Sequence, residues 1–171
     1  MTKIELTDTI KALKDNILLS MYHIYLSSED TTHFKNEFLD KYNLKESDLT
    51  AILSDKKYYQ HQTFQLTKVV IKSCITDSFE AIMDYCKFTK QKDIFKNQTF
   101  YYFYNAIRNC FSHNYRFDFY PETLKKLPFL WNGYEINKSM NNTSFDFMIF
   151  PPNMFMNLFN EIVIFVEEDL N

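Results

Sequence analysis

The chain has one glycine and four prolines in 171 residues, and this shortage of turn-forming residues restricts its fold more than any other feature. β-Sandwiches and β-barrels need many tight turns, and glycine and proline supply the backbone conformations of those turns. Dinucleotide-binding loops and Walker-type phosphate loops need glycines where the backbone approaches the phosphates, so both are excluded. The sequence therefore predicts long helices joined by few sharp corners.

Composition narrows the class of protein further. Hydrophobic content of 46% and aromatic content of 18% exclude intrinsic disorder, and the length fits a single domain over residues 1–171. The three cysteines are an odd number without C-x-x-C spacing, so we expect neither a disulfide framework nor a zinc site, and no other metal or cofactor. The N-terminus is polar and no apolar run reaches about 18 residues, so we expect no signal peptide, no membrane partner and a cytoplasmic location.

Apolar residues recur at three- and four-residue steps along most of the chain, which predicts helices. Ile10, Leu13, Ile17 and Leu18 belong to the apolar stripe of the first helix. A proline pair at Pro151-Pro152 suits the start of the last helix. The helices before the last one are expected over residues 7–27 (the first helix), 33–42, 47–54, 58–86 and 93–114.

A small β-hairpin is predicted near the C-terminus. Asn132-Gly133 is a strong turn signal. Ile136 and the alternating apolar residues of 145–149 predict two short strands around the polar tip at 137–142. Together these elements predict a mostly α fold, a helical bundle of about four to five main helices with this hairpin.

Both arginines of the chain lie in the segment 106–116, whereas seventeen lysines are spread along it. Arginine is a planar, permanently charged fork that grips phosphate or carboxylate through two parallel hydrogen bonds. Arg108 is followed directly by Asn109 and then by His113, whose side chain type normally titrates near neutral pH. This Arg-Asn-x-x-x-His cluster is suited to holding a phosphate and transferring a proton.

The cluster lies in the basic part of an otherwise acidic chain. Residues 87–126 carry eight basic and three acidic side chains, although the net charge of the whole chain is −3. A local positive surface is expected where a phosphate backbone is held. The alternative is chance clustering on a solvated face.

Helical geometry decides which of these residues cooperate. Asn109 and His113 are four residues apart and share a face, whereas Arg108 and His113 are separated by about 140° around the axis. Two arrangements bring arginine and histidine together: the helix ends near His113, or a second copy of the helix supplies the missing half through two-fold symmetry. The aromatic-rich stretch 101–119 offers either apolar surface for such a contact or internal core.

The motif Arg108-Asn109-x-x-x-His113, at the C-terminal end of a predicted helix in a helical domain of this size, resembles the HEPN superfamily (higher eukaryotes and prokaryotes nucleotide-binding domains). The signature of that family is arginine, four to six residues, then histidine, usually with a polar residue directly after the arginine. The resemblance covers the motif helix and the general architecture. It implies a HEPN-like bundle that forms a homodimer through the motif-bearing helix.

The resemblance implies a metal-independent endoribonuclease of a toxin–antitoxin or phage-defence system, with RNA as substrate and a cognate antitoxin or regulator as a further partner. Arg108 is then expected to hold the scissile phosphate, His113 to act as base or acid, and Asn109 to orient either of them. RNA rather than DNA follows because the attacking group is the 2′-hydroxyl. Further RNA contacts are expected from Lys96 and Ser112, and also from Tyr115 and Arg116, for which ordinary surface roles are the alternative.

Other roles for the motif remain open from the sequence. His113 alone suits a helix C-terminus, where the dipole favours a cation. The chain as a whole also fits a non-catalytic HEPN-like module that binds a nucleotide or a protein partner. Arg108 alternatively forms a structural ion pair with an acid of the preceding helix, the candidates being Asp77, Glu80 and Asp84.

Overall fold

The computed structural model describes residues 1–26 and 55–171. The helices predicted at 33–42 and 47–54 lie outside the described residues. The chain divides into two compact units, one formed by residues 1–15 with 71–171 and the other by residues 16–70. Each unit is described by itself, and a single domain over the whole chain stays a prediction.

The described residues are mostly α-helical, which confirms the predicted fold class. Within them, no helix has the length and apolar character needed to cross a bilayer. A 3₁₀ turn follows the hairpin at Lys138–Met140, and a π-helical turn at Phe165–Asp169 continues the last helix. Numbered along the described residues, the helices are α1 (Lys3–Leu26), α2 (Lys56–Phe88), α3 (Lys92–Lys96), α4 (Tyr101–Ser112), α5 (Pro121–Lys126) and α6 (Pro152–Ile164).

The single helix predicted over residues 93–114 is wrong, because the chain breaks between α3 and α4 at residues 97–100. Phe95 and Phe100 explain the break. In one continuous helix these two residues would point about 140° apart. In the structure both are buried, and their ring centroids lie 6.3 Å from each other. The interruption thus lets both rings enter the same core.

The Asn132-Gly133 turn is confirmed, but the strands differ in part from the prediction. Strands β1 (Phe129–Trp131) and β2 (Tyr134–Ile136) pair antiparallel around it, with φ of 47° at Asn132 and 80° at Gly133. These positive values are the backbone conformation that a two-residue hairpin turn requires.

The second predicted strand, over residues 145–149, does not form, and the expected tip at 137–142 contains the 3₁₀ turn instead. The segment pairs with the chain that leaves α4. Arg116 and Ser144 form an isolated antiparallel bridge, and the Phe145 N–H donates to the Tyr115 carbonyl. This pairing fixes the position of the residues that follow the motif.

Helix α4 lies in the aromatic core of the first unit. The Tyr104 hydroxyl, fully buried, is hydrogen-bonded with Ser78 Oγ of α2. Phe111 contacts Phe155 of α6, with ring centroids 5.9 Å apart. Most of the aromatic side chains in the stretch 101–119 are therefore core, and they hold α4 in place from several sides.

The second unit has its own buried contacts between its parts of α1 and α2. Thr67 Oγ1 donates to the Ser20 carbonyl across 3.2 Å, and both residues are buried. Ile17 is fully buried, as predicted from the apolar stripe. Leu18 is 52% exposed, so its assignment to that stripe is wrong. Adjacent residues point about 100° apart on a helix, and the stripe is too narrow to hold both.

Candidate functional site

The motif occupies the one face of α4 that is not buried. Seven residues of the helix are buried, and the five others fall within an arc of about 120° when drawn at 100° per residue. The amphipathic pattern thus places the Arg-Asn pair of the motif towards solvent while the opposite face enters the core. The five residues are Tyr102, Asn105, Arg108, Asn109 and Ser112.

Helix α4 ends directly before the histidine of the motif. His113 is the C-cap residue, with ψ of 41°, and its backbone N–H donates to the carbonyls of Asn109 (3.0 Å) and Cys110 (3.2 Å). Its side chain is exposed and makes no hydrogen bond or ion pair with the described residues. The backbone, not the imidazole, therefore caps the helix, and the ring is accessible at the end of the motif face.

Two successive residues in the left-handed region turn the chain after His113. Asn114 has φ of 55° and Tyr115 has φ of 61°. Asparagine adopts this conformation readily, whereas a large side chain does so at a cost. The turn brings the Arg116 N–H to the carbonyls of Cys110 (3.2 Å) and His113 (3.1 Å). These hydrogen bonds hold the backbone of Arg116 close to the histidine end of the motif, and Arg116 is exposed there.

Packing of the Tyr115 ring offsets the strain of that turn. The half-buried ring lies 5.1 Å from the Phe111 ring and 6.3 Å from the Phe147 ring. Lys72 Nζ of α2 lies 5.4 Å from its centroid, within the range of a cation–π contact. Burial raises the pKa of the Tyr115 hydroxyl. Tyr115 therefore acts as a structural anchor for the end of α4, although part of its surface stays accessible.

Arg108 is held by contacts on both sides of its guanidinium. Nη1 donates to Oδ1 of Asn109 at 2.9 Å, and Nη2 forms a short ion pair with Oε1 of Glu80 on α2. The guanidinium carbon lies 5.6 Å from the centroid of the Phe79 ring. The sequence leaves open, as an alternative, an ion pair of Arg108 with Asp77, Glu80 or Asp84, and in the structure Glu80 forms that pair.

The two other acids of α2 have different partners. Asp77 accepts a hydrogen bond from Ser73 at 2.7 Å, and Asp84 pairs with Lys87 at 2.9 Å. Glu80 was foreseen only as one of three candidates, because helical spacing cannot decide which turn of α2 faces Arg108.

One nitrogen of the Arg108 side chain is buried, although the side chain as a whole reaches solvent. Nε is buried and has no hydrogen-bond partner among the described residues, whereas the side chain as a whole is 30% exposed. A guanidinium carries five N–H donors, of which Glu80 and Asn109 engage one each. The second N–H of each terminal nitrogen is left for a ligand. Such a fixed fork is suited to phosphate oxygens.

The remaining RNA-contact candidates fall at different distances from the motif. Ser112 Oγ donates to the Arg108 carbonyl one turn back at 3.0 Å, so its hydroxyl proton is used within the helix. Lys96 is half-buried at the end of α3, on the other side of the break from α4. The structure thus brings Arg108 and Asn109 into contact and places His113, Ser112 and Arg116 next to them along the chain.

A cavity of about 120 Å³ lies beside the motif. One wall is α4, with Asn109 at the motif end, and the other is the segment 118–129, which contains α5. We call it the α4–α5 cavity. Sequence reasoning missed it, although Asn105 lies one turn before Asn109 and gave a signal: two amides on the same helical face.

Comparison of the chain with protein-family models, with curated proteins and with solved structures finds no match. Among the described residues, no group of three or more His, Cys, Asp or Glu side chains is placed to hold a metal ion. The motif and the geometry of its side chains are therefore the features of this chain that bear on its function.

Proposed function

We propose that this chain is a metal-independent endoribonuclease of the HEPN type that acts as a homodimer in a toxin–antitoxin or phage-defence system. One observation carries the proposal: Arg108 and Asn109 are in contact on the solvent-facing side of α4, and His113 ends that helix with its side chain exposed. A surface that served only solubility would not need a guanidinium that Glu80 and Asn109 hold in place.

Arg108 is assigned to the scissile phosphate. Negative charge accumulates on the phosphoryl oxygens as the phosphorane forms, and fixed donors aimed at those oxygens stabilise it. The contacts with Glu80 and Asn109 hold the guanidinium before substrate arrives. Less reorganisation is then needed in the transition state.

His113 is assigned to proton transfer. The 2′-hydroxyl loses its proton as its oxygen attacks phosphorus, the P–O5′ bond breaks, and the leaving O5′ takes up a proton. The products are a 2′,3′-cyclic phosphate and a 5′-hydroxyl. A neutral imidazole can accept the first proton, and an imidazolium can donate the second. Asn109 shares a helical face with His113 and is assigned to orientation of the phosphate or the ring.

A homodimer completes this chemistry, since one chain offers one histidine in the motif while the reaction needs both a base and an acid. Two antiparallel copies of α4 related by a two-fold axis would bring both histidines to one cleft. Tyr102 is 45% exposed on the motif face and supplies an aromatic contact for such an interface. Light scattering at micromolar concentration should report a dimer, and an active monomer would exclude this arrangement.

A second candidate function is favoured by the Arg108–Glu80 ion pair. The carboxylate offsets the charge of the guanidinium, as expected if Arg108 is a structural residue. The chain would then be a non-catalytic module that binds a nucleotide or a protein partner. Such a module should leave RNA intact under all conditions.

The ribonuclease proposal is tested by the chemistry of the products. Purified protein is incubated in EDTA with an RNA and with the same oligonucleotide carrying 2′-deoxy sugars throughout. We expect the RNA alone to be cut, with 2′,3′-cyclic phosphate ends, because the deoxy sugar lacks the nucleophile. Strict dependence on magnesium, or cleavage of the 2′-deoxy strand, would contradict the proposal.

A further inference from the structure

The α4–α5 cavity meets the motif at Asn109. This side chain lines the cavity, while its Oδ1 accepts the hydrogen bond from Nη1 of Arg108. A group bound in the cavity would therefore lie beside a phosphate held by Arg108. In a nucleic acid each backbone phosphate is bonded to a ribose, and the base on that ribose is the nearest ring that a cavity beside the phosphate could receive.

The inner walls of the cavity are apolar and uncharged. Ala106, Cys110, Phe119 and Phe129 are all buried, with at most 8% of their surface exposed. Burial raises the pKa of the Cys110 thiol to about 12, so this wall carries no charge at neutral pH. Apolar walls with a few convergent polar groups are typical of small-molecule sites.

The polar groups of the cavity favour a ligand that donates hydrogen bonds. Asp118 supplies a carboxylate acceptor and Asn105 supplies an amide, whereas Oε1 of Glu122 accepts a hydrogen bond from Lys125 at 2.9 Å. Lys126 also lines the cavity, with its Nζ 5.5 Å from the Tyr102 ring centroid. With Lys125 paired to Glu122, the two carboxylates are matched by two ammonium groups, so the cavity has no excess of positive charge to favour a phosphate. The carboxylate of Asp118 and the amide of Asn105 suit the exocyclic amino group of a base, which carboxylates and amides recognise in nucleic acids.

The size of the cavity limits the ligand to one ring system. Pockets for drug-sized ligands measure roughly 300–1,000 Å³. A volume of about 120 Å³ is far below that range. We propose that the α4–α5 cavity binds one amino-bearing nucleobase, next to the phosphate held by Arg108. This assignment rests on the proposed function, since it makes the cavity the base-recognition part of a ribonuclease site.

Cytidine and uridine are the matched probes, because the two pyrimidines have nearly the same shape. They differ at C4, where cytosine carries an amino group and uracil a carbonyl, and at N3, which is protonated only in uracil. Each nucleoside is titrated into the full chain by nuclear magnetic resonance, with Asn105→Ala as the cavity variant and Asn160→Ala as the control. Asn160 is an exposed asparagine on α6, outside the cavity. We expect cytidine to bind roughly fivefold or more tightly than uridine, and Asn105→Ala to weaken cytidine binding by a similar factor. Equal affinity for both nucleosides, no binding of either, or no effect of Asn105→Ala would overturn the assignment.

A cleavage assay separates this assignment from the proposed function. Oligoribonucleotides that differ only in one cytosine or uracil are incubated with the protein in EDTA. If the protein cleaves preferentially beside cytosine and Asn105→Ala removes that preference, both the cavity assignment and the ribonuclease proposal are supported. Cleavage without any base preference leaves the ribonuclease standing and removes the cavity assignment. Cytidine binding that depends on Asn105, in a protein that cuts no RNA, keeps the cavity assignment and removes the ribonuclease.

Discussion

Nη1 of Arg108 donates a hydrogen bond to Oδ1 of Asn109, the next residue in the chain, across 2.9 Å. Adjacent residues on a helix point about 100° apart, so the long arginine side chain has to bend around the helix to make this bond. The bend moves the guanidinium towards the face that Asn109 shares with His113. This reduces the angular gap between arginine and histidine that the sequence alone leaves at about 140°.

Glu80 is expected to position Arg108 in any reaction at the motif. Glu80→Gln removes the charge and keeps the shape, so the guanidinium loses its ionic anchor. We predict RNA cleavage to fall roughly tenfold, because small displacements of positioning groups have such effects. The free energy of unfolding should change by less than about 1 kcal/mol, since both side chains are partly exposed.

Asp84→Asn is the matched control for Glu80→Gln. Asp84 lies one turn further along α2 and pairs with Lys87 instead of Arg108. We expect this variant to cleave RNA at the wild-type rate. Unchanged cleavage in Glu80→Gln, or an equal loss in both variants, would remove the positioning role.

The hydroxyl of Tyr104 is expected to stabilise the packing of α4 on α2. It is fully buried, bonded with Ser78 Oγ and close to the Ile75 carbonyl at 3.3 Å. Tyr104→Phe deletes these bonds, while Ser78 keeps its bond to the Cys74 carbonyl. We predict a loss of about 1 kcal/mol in chemical denaturation, the usual net contribution of such a bond.

Tyr102→Phe provides the comparison on the same helix. Tyr102 is 45% exposed, so the loss of its hydroxyl should change the free energy of unfolding by less than about 0.5 kcal/mol. If the two tyrosine variants lose the same amount of stability, the buried Tyr104–Ser78 pair does not anchor α4.

The sequence predicts those structural features that are determined by neighbouring residues, and it does not predict those that are determined by tertiary packing. Asn132-Gly133 specifies its turn through the backbone preferences of two residues, and the prediction is correct. The break before α4 has a tertiary cause, the joint burial of Phe95 and Phe100, which spacing cannot reveal. Helical periodicity alone therefore joins α3 and α4 wrongly.

The C-terminal strand shows the same limit. The alternation of Phe145, Phe147 and Ile149 is typical of a strand, but pairing in a sheet also needs a partner of matching length. The chain after α4 offers a single bridge, from Arg116 to Ser144. At the candidate site, the motif is local and is found from the sequence. The pairing of Glu80 with Arg108 and the α4–α5 cavity arise from packing between segments that are distant in the sequence. They cannot be found from the sequence alone.

The Cys110 thiol should make stability depend on pH. Burial raises its pKa to about 12 in the folded chain, against a normal value near 9. Between these values the unfolded chain loses the thiol proton and the folded chain keeps it, so the folded state loses stability as pH rises above about 9. At pH 10 the loss from this thiol is on the order of 1 kcal/mol relative to pH 7.

The contribution of Cys110 is isolated by comparison with Cys110→Ala. We expect the stability difference between wild type and variant to shrink by on the order of 1 kcal/mol from pH 7 to pH 10, measured by denaturant unfolding under reducing conditions. A difference that stays constant over this range would mean that the thiol titrates equally in both states.

We propose that Arg108 and His113 together cleave RNA. The most direct measurement is the rate of RNA cleavage in EDTA by wild type, Arg108→Ala and His113→Ala, with circular dichroism as the check on folding. Lys87→Ala and His23→Ala, which remove another exposed cation and another exposed histidine, are the controls. We predict that each motif variant loses roughly 100-fold or more of the rate while both controls keep it. Full activity in either folded motif variant, or no cleavage by the wild type, would contradict the account.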